Sequence, residues 1–222
     1  LAVGLGAIGS AIGEGMIAMR AVEALGRQPR CSGKLLRVML IGQAVTETSA
    51  IFALVVSFIL LFQGKGDMAI KAYAFLAAGL CIGVGALGSG LGVGLTGSAA
   101  SEGVGKQPEN SEVLTFHMLI GQAVAETSAI FSLTITLILI MFTAELSLIK
   151  ICAVLGAGIA SGFGGVGPAI GIGYVGLKAN QAVAKDPRNV GLITKIMLIG
   201  QAATQTTSIY SVIVALILIF II

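Results

Sequence analysis

The sequence predicts an all-α membrane protein made of three tandem transmembrane helical hairpins, six helices in all, that assemble into a two-layer ring. Three observations predict it: long uncharged apolar runs, a fixed internal period, and alternate helices rich in glycine.

The apolar runs come first. Of 222 residues 56% are hydrophobic and only 10% charged, against about 25% charged in a typical soluble domain. Leu54 to Phe62, Ile130 to Phe142 and Ser211 to Ile222 carry no charge, and each continues a longer helical stretch. Such stretches match a bilayer span of about 20 residues. The net charge of +3 is small and reads as a topology signal, with no nucleic-acid partner. Cys31, Cys81 and Cys152 share no metal or disulfide spacing and read as small hydrophobes. Leu1 already lies inside an apolar stretch, so the natural start is expected upstream, and no cleaved signal peptide is read.

The period is 79 residues, without insertion or deletion: Met39 to Phe52 recurs as Met118 to Phe131 and as Met197 to Tyr210. Glycines coincide in all three copies, for example at Gly9, Gly88 and Gly167 and at Gly13, Gly92 and Gly171. Fixed-period similarity marks duplicated structural units, here hairpins at 1–65, 66–145 and 146–222. Each unit reads as helix, polar loop, helix. Pro29, Pro108 and Pro187 stop the first helix of each pair. The expected helices are 1–26, 35–62, 69–105, 111–143, 147–184 and 189–222, with linkers around Gln63 to Asp67 and Ala144 to Ser147.

Basic residues set the orientation. Arg20, Arg27, Arg30, Lys34, Arg37, Lys106, Lys178, Lys185, Arg188 and Lys195 lie on the side of the proline loops, against Lys65, Lys71 and Lys150 on the other. The positive-inside rule puts the loops in the cytoplasm and both termini outside. All three hairpins then point the same way, unlike inverted-repeat transporters.

Glycine dominates the odd-numbered helices. Pairs such as Gly9/Gly13, Gly88/Gly92 and Gly167/Gly171 give the small-xxx-small spacing that lets helices approach closely in membranes. Glycine helices side by side in an inner layer, with bulkier helices outside, are what a closed ring requires. Gly4, Gly6 and Gly9 also fit GxGxxG. That fingerprint needs a preceding strand and a following acidic residue, so nucleotide binding is set aside.

Glu47 and Glu126 lie about 12 to 15 residues into their helices, roughly 18 to 22 Å deep. A carboxylate there costs about 2.5–3.5 kcal/mol on insertion scales and must be neutralised by a proton, a cation or a partner. Thr48 and Ser49 follow Glu47, and Thr127 and Ser128 follow Glu126. Hydroxyls and carbonyls suit a hard cation, and a hydrogen-bonded protonated carboxyl explains them as well. Gln43 and Gln122, four residues earlier, either join the site or pack as polar contacts.

The glycine-rich first helix, the Arg-Gln-Pro loop and the intramembrane glutamate in AETSAIF together resemble the rotor-ring proteolipid (the c subunit) of rotary ATP synthases. The likeness covers the whole chain three times over. The loop and glutamate context are more similar to the F-type branch, although tandem fusion is more familiar in the vacuolar and archaeal ones. The resemblance implies a non-catalytic, multi-pass component of a prokaryotic plasma membrane, bathed in lipid, in a homo-oligomeric ring. Each outer carboxylate would take Na⁺ or H⁺ from the stator's arginine-bearing a subunit and surrender it to that arginine. The cytoplasmic loops would grip central stalk subunits. It implies an ion site in which Glu14 matches a helix-one ligand and Thr48 and Thr127 match a hydroxyl ligand. Na⁺ is thus expected at Glu14, Glu47, Thr48, Glu126 and Thr127, with protons as runner-up. ATP hydrolysis is not expected on this chain, and no cofactor is. The rival is an oligomeric pore or small transporter with a glutamate-lined path.

The three copies differ where the chemistry lies. The helix-one position is Glu14, Val93 and Ile172, and the outer position is Glu47, Glu126 and Gln205. Either Gln205 is a dead site, or Glu14 of one chain pairs with Gln205 of the preceding chain. His117, unique to its copy, is expected at the membrane interface.

Overall fold

The computed structural model describes residues 1–63, 69–142 and 147–221, and these residues are helical almost throughout. The helices are α1 (Ala2–Arg27), α2 (Ser32–Phe62), α3 (Ala69–Lys106), α4 (Ser111–Met141), α5 (Leu148–Lys185) and α6 (Val190–Phe220). Among the described residues there is no strand. All six helices are long and apolar enough to cross a membrane, so the chain is an integral membrane protein. The expected inter-hairpin linkers, including Lys65, fall largely outside the described residues.

The loops are tighter than the sequence implied. A single residue, Gln28, Gln107 or Asp186, leaves the helical path, and a short 3₁₀ turn at Pro29–Cys31, Pro108–Asn110 or Pro187–Asn189 leads into the next helix. Proline suits the first position of such a turn, where its missing N–H has no partner to lose. Helix α2 therefore starts at Ser32, three residues before the expected 35. In the third loop the Asp186 carboxylate accepts from Arg188 N, Arg188 Nε and Asn189 Nδ2. The Arg188 side-chain bond holds this carboxyl below the ordinary aspartate value. Lys34 Nζ donates to Pro108 O at 2.9 Å and joins the loops of adjacent hairpins.

Helices α1, α3 and α5 lie side by side as the inner layer, and each hairpin's second helix packs outside. Helix α2 fills the groove between α1 and α3, and α4 fills that between α3 and α5, whereas α6 rests on α5 and on the side of α4. Glycine makes the inner layer possible. A β-carbon built on Gly94 would lie 2.8 Å from the Gly13 carbonyl carbon, and one on Gly173 the same distance from that of Gly92. No larger residue fits at such a crossing. The outer helices turn Phe58, Phe116, Ile196 and Ile199 outward, the apolar surface that lipid demands.

His117 is buried between α4 and α5, with Nδ1 3.3 Å from Asn180 Oδ1. Asn180 spends its Nδ2 on Gly176 O at 3.0 Å, so its oxygen must accept and His117 carries its proton on Nδ1. His117 Nε2 is left buried without a partner.

Candidate functional site

The outer-helix positions of interest sit at the helix midpoints. Glu47 is fifteen residues from either end of α2, Glu126 fifteen from either end of α4, and Gln205 fifteen from either end of α6. At 1.5 Å per residue each is about 22 Å from its helix ends, the depth at which water is scarcest.

The hydroxyl beside each carboxylate in sequence does not serve it in space. Successive helical residues point 100° apart, so Thr48 faces away from Glu47 and toward the next hairpin. There Thr48 Oγ1 meets Glu126 Oε1. Thr48 Oγ1 also lies 2.5 Å from Val45 O, one turn back on α2. A carboxylate, a hydroxyl and a backbone carbonyl from two adjacent outer helices thus converge at mid-membrane. The hydroxyl has one proton for two acceptors. If that proton goes to Val45 O, a further proton or a cation must bridge Thr48 and Glu126. The inner side of this cluster is closed by Val93 of α3, packed with Val45, Val124, Ala125 and Ile172.

The third hairpin does not repeat this pairing: its outer position is met by the serine, not the threonine, of the preceding hairpin. Gln205 Oε1 accepts from Ser128 Oγ at 3.4 Å, Ser128 also touches Ser208 Oγ, and Gln205 Nε2 is buried unpartnered. Thr127 makes only its intrahelical bond, to Val124 O at 2.6 Å. In the first hairpin Ser49 pairs with Ser10 Oγ at 3.2 Å, so it faces α1 and no carboxylate. Glu47 is exposed on α2. Half-buried Glu14 stands on α1 within Coulombic reach of Glu47.

The glutamines one turn before these positions form interhelical bridges that the sequence left undecided. Gln122 Nε2 donates to Gly42 O on α2 and Val93 O on α3, both at 3.2 Å. Gln201 Nε2 donates to Gly121 O on α4 and Ile172 O on α5, both at 3.3 Å. Gln122 and Gln201 are fully buried, each amide tying its outer helix to two neighbours. A signal for this was their invariant place in the repeat, on the face that also carries buried Met118 and Met197.

The family model for the C subunit of ATP synthase matches the chain three times, at residues 1–60, 76–139 and 155–218. Over nearly its full length, 98%, the chain is 30% identical to the K subunit of an A-type ATP synthase from Methanocaldococcus jannaschii, covering 92% of that relative. Over 67 residues, 30% of the chain, it is 46% identical to the ATP synthase c subunit of Petrotoga mobilis, covering 70% of it. Over 55 residues, 25% of the chain, it is 53% identical to the ATP synthase c subunit of Alkaliphilus oremlandii, covering 62% of it. The two c subunits thus match about one repeat each, and the K subunit matches nearly the whole chain.

Proposed function

The chain belongs to the family of ATP synthase C subunits, and from that membership we propose that Glu47 and Glu126 are its ion carriers in the rotor ring, while Gln205 carries nothing. The hairpins 1–65, 66–145 and 146–222 are then three unequal stations. The observation that carries the reading is the cluster of Glu126, Thr48 and Val45 O between adjacent outer helices at mid-membrane.

Each station takes its carboxylate from one hairpin and its hydroxyl from the hairpin before. A charged carboxylate is costly at this depth, so an ion must accompany it through lipid. An arginine of the stator displaces that ion, and the ring advances by one station. Loops on the cytoplasmic side, with both termini outside, meet the central stalk, in keeping with the basic residues gathered there. The membrane is a prokaryotic plasma membrane. Helix-one Glu14 beside Glu47 supplies a second carboxylate to the first station. Na⁺ is the cargo this oxygen set supports best. Protons are the second reading, favoured by Val93 and Ile172, which offer no side-chain oxygen on the inner side of the other two positions. A pore is disfavoured because Glu47 and Glu126 lie in the outer layer and do not line a common path.

Site-resolved carbodiimide labelling of the purified ring tests this. The reagent attacks protonated carboxyls in apolar surroundings. Labelling of Glu47 and Glu126 that millimolar Na⁺ suppresses at fixed pH is expected. Labelling indifferent to Na⁺ would leave protons as the cargo, and no labelling at either residue would overturn the carrier assignment.

A further inference from the structure

Between the loop-side ends of α2 and α4 the outer surface opens into a groove of about 500 Å³. Two cations of α2, Lys34 and Arg37, stand in its wall together with the apolar Ile41, Phe116 and Leu119. Lys34 and Arg37 are three residues apart and so share one face of the helix. Both are exposed, and among the described residues neither forms an ion pair. Lys34 Nζ donates one hydrogen bond, to Pro108 O, and an ammonium has three protons to give. Glu112 of α4 is the carboxylate in this wall, so the groove keeps an excess of positive charge.

Depth separates the charged part of the groove from the apolar part. Helix α2 has 31 residues and is about 46 Å long, against about 30 Å of hydrocarbon in a bilayer. Centred in the membrane, it extends about 8 Å past the hydrocarbon at each end. Lys34 and Arg37 come two and five residues after Ser32, about 3 and 8 Å from the helix start, at the level of lipid headgroups. Ile41 on α2 and Leu119 on α4 lie about 12 to 14 Å in, beside the upper acyl chains. Phe116, 68% exposed, turns this wall toward lipid. The cation pair is not repeated: 79 residues on, Val113 and Phe116 take the places of Lys34 and Arg37.

We propose that this groove binds one anionic phospholipid, its phosphate against Lys34 and Arg37 and an acyl chain laid along Ile41 and Leu119. Charge complementarity and depth together select that occupant. A soluble anion satisfies the cations and leaves the apolar part of the groove empty, whereas a neutral lipid fills the apolar part and leaves the cations uncompensated. An acidic headgroup on an acyl chain meets both demands, as basic pockets between transmembrane helices do elsewhere. The Ser111 hydroxyl, in the facing wall on α4, adds a donor from the second hairpin. The lipid thus ties α2 to α4 at the headgroup level, where Lys34 already joins the two loops. The site needs only that α2 and α4 face lipid, and it is independent of which ion the glutamates carry.

The test is photolabelling of the full chain in phosphatidylcholine vesicles that carry a trace of photoreactive lipid, its diazirine placed high on an acyl chain. Photoreactive phosphatidylglycerol is expected to label the peptides holding Ile41 and Leu119 in preference to photoreactive phosphatidylcholine. Lys34→Gln and Arg37→Gln should each cut the anionic labelling about 5-fold, and together about 25-fold, while phosphatidylcholine labelling stays as it was. Lys195→Gln removes an exposed cation of the same leaflet outside the groove and should leave the labelling at the parent level. Equal labelling by the two lipids, or an equal loss in Lys195→Gln, would overturn the proposal in favour of general surface attraction. The parent chain supplies a second measurement that no folding defect can obscure. Unlabelled phosphatidylglycerol at a few per cent of the vesicle lipid should compete the label away, and added phosphatidylcholine should not. Labelling that phosphatidylglycerol fails to displace would overturn the proposal without recourse to any variant.

Discussion

Thr48→Val separates neighbours in sequence from neighbours in space. The substitution keeps the side chain's shape and removes the hydroxyl that meets Glu126 Oε1. A hydrogen bond to a charged group is worth about 1.5–3 kcal/mol, and 1.36 kcal/mol is a factor of ten. The ion-loaded state at Glu126 should therefore weaken about 10- to 150-fold. Glu47, the residue immediately before Thr48, should keep its own affinity, because Thr48 points away from it. The assay is carbodiimide labelling with peptide mapping across a Na⁺ and pH series, which reads each glutamate separately. The midpoint for protection at Glu126 should move and that at Glu47 should stay. A shift confined to Glu47, or equal at both, would refute the reasoning that a station borrows its hydroxyl from the preceding hairpin.

The other predictions follow from the same packing. Gly92→Ala puts a methyl 2.8 Å from the Ala169 carbonyl carbon and should cost about 1–3 kcal/mol as α3 and α5 are forced apart. Gly26→Ala has nothing within 4 Å and should stabilise α1 by about 0.5–1 kcal/mol, both effects read from thermal unfolding in detergent. His117→Val strands Asn180 Oδ1 at a cost of about 1–3 kcal/mol. Adding Asn180→Ser recreates the Val38 and Ser101 found one repeat earlier and should recover most of that loss, as a double-mutant cycle of unfolding free energies will report. Gln205→Glu places a carboxyl against Ser128 and should create a third labelled position on α6.

What the sequence made legible depended on how local the signal was. Six spans, three proline turns and the glycine layer were readable because apolar runs, Pro29, Pro108, Pro187 and the 79-residue glycine register each act within one helix or hairpin. The pairing of Thr48 with Glu126 was not readable, since it depends on how far one outer helix is rotated against the next. Depth alone did not show that His117 is buried against α5. Its spacing of three from Leu114 and four from Gly121 puts it on the buried stripe of α4, a periodicity the sequence does carry. The bridging role of Gln122 and Gln201 was hidden for another reason: their acceptors are backbone carbonyls, which leave no trace in side-chain identity.

The most direct measurement of the central claim is the intact mass of the chain after exhaustive carbodiimide treatment of the assembled ring. Unequal stations predict at most two adducts per chain, mapping to Glu47 in α2 and Glu126 in α4, with α6 unmodified. A modification at Glu14 comparable to these two would contradict the dead station at Gln205 and revive a working pair between copies. Failure of Glu126 to react, with its oxygen cluster complete inside every chain, would contradict the account as a whole.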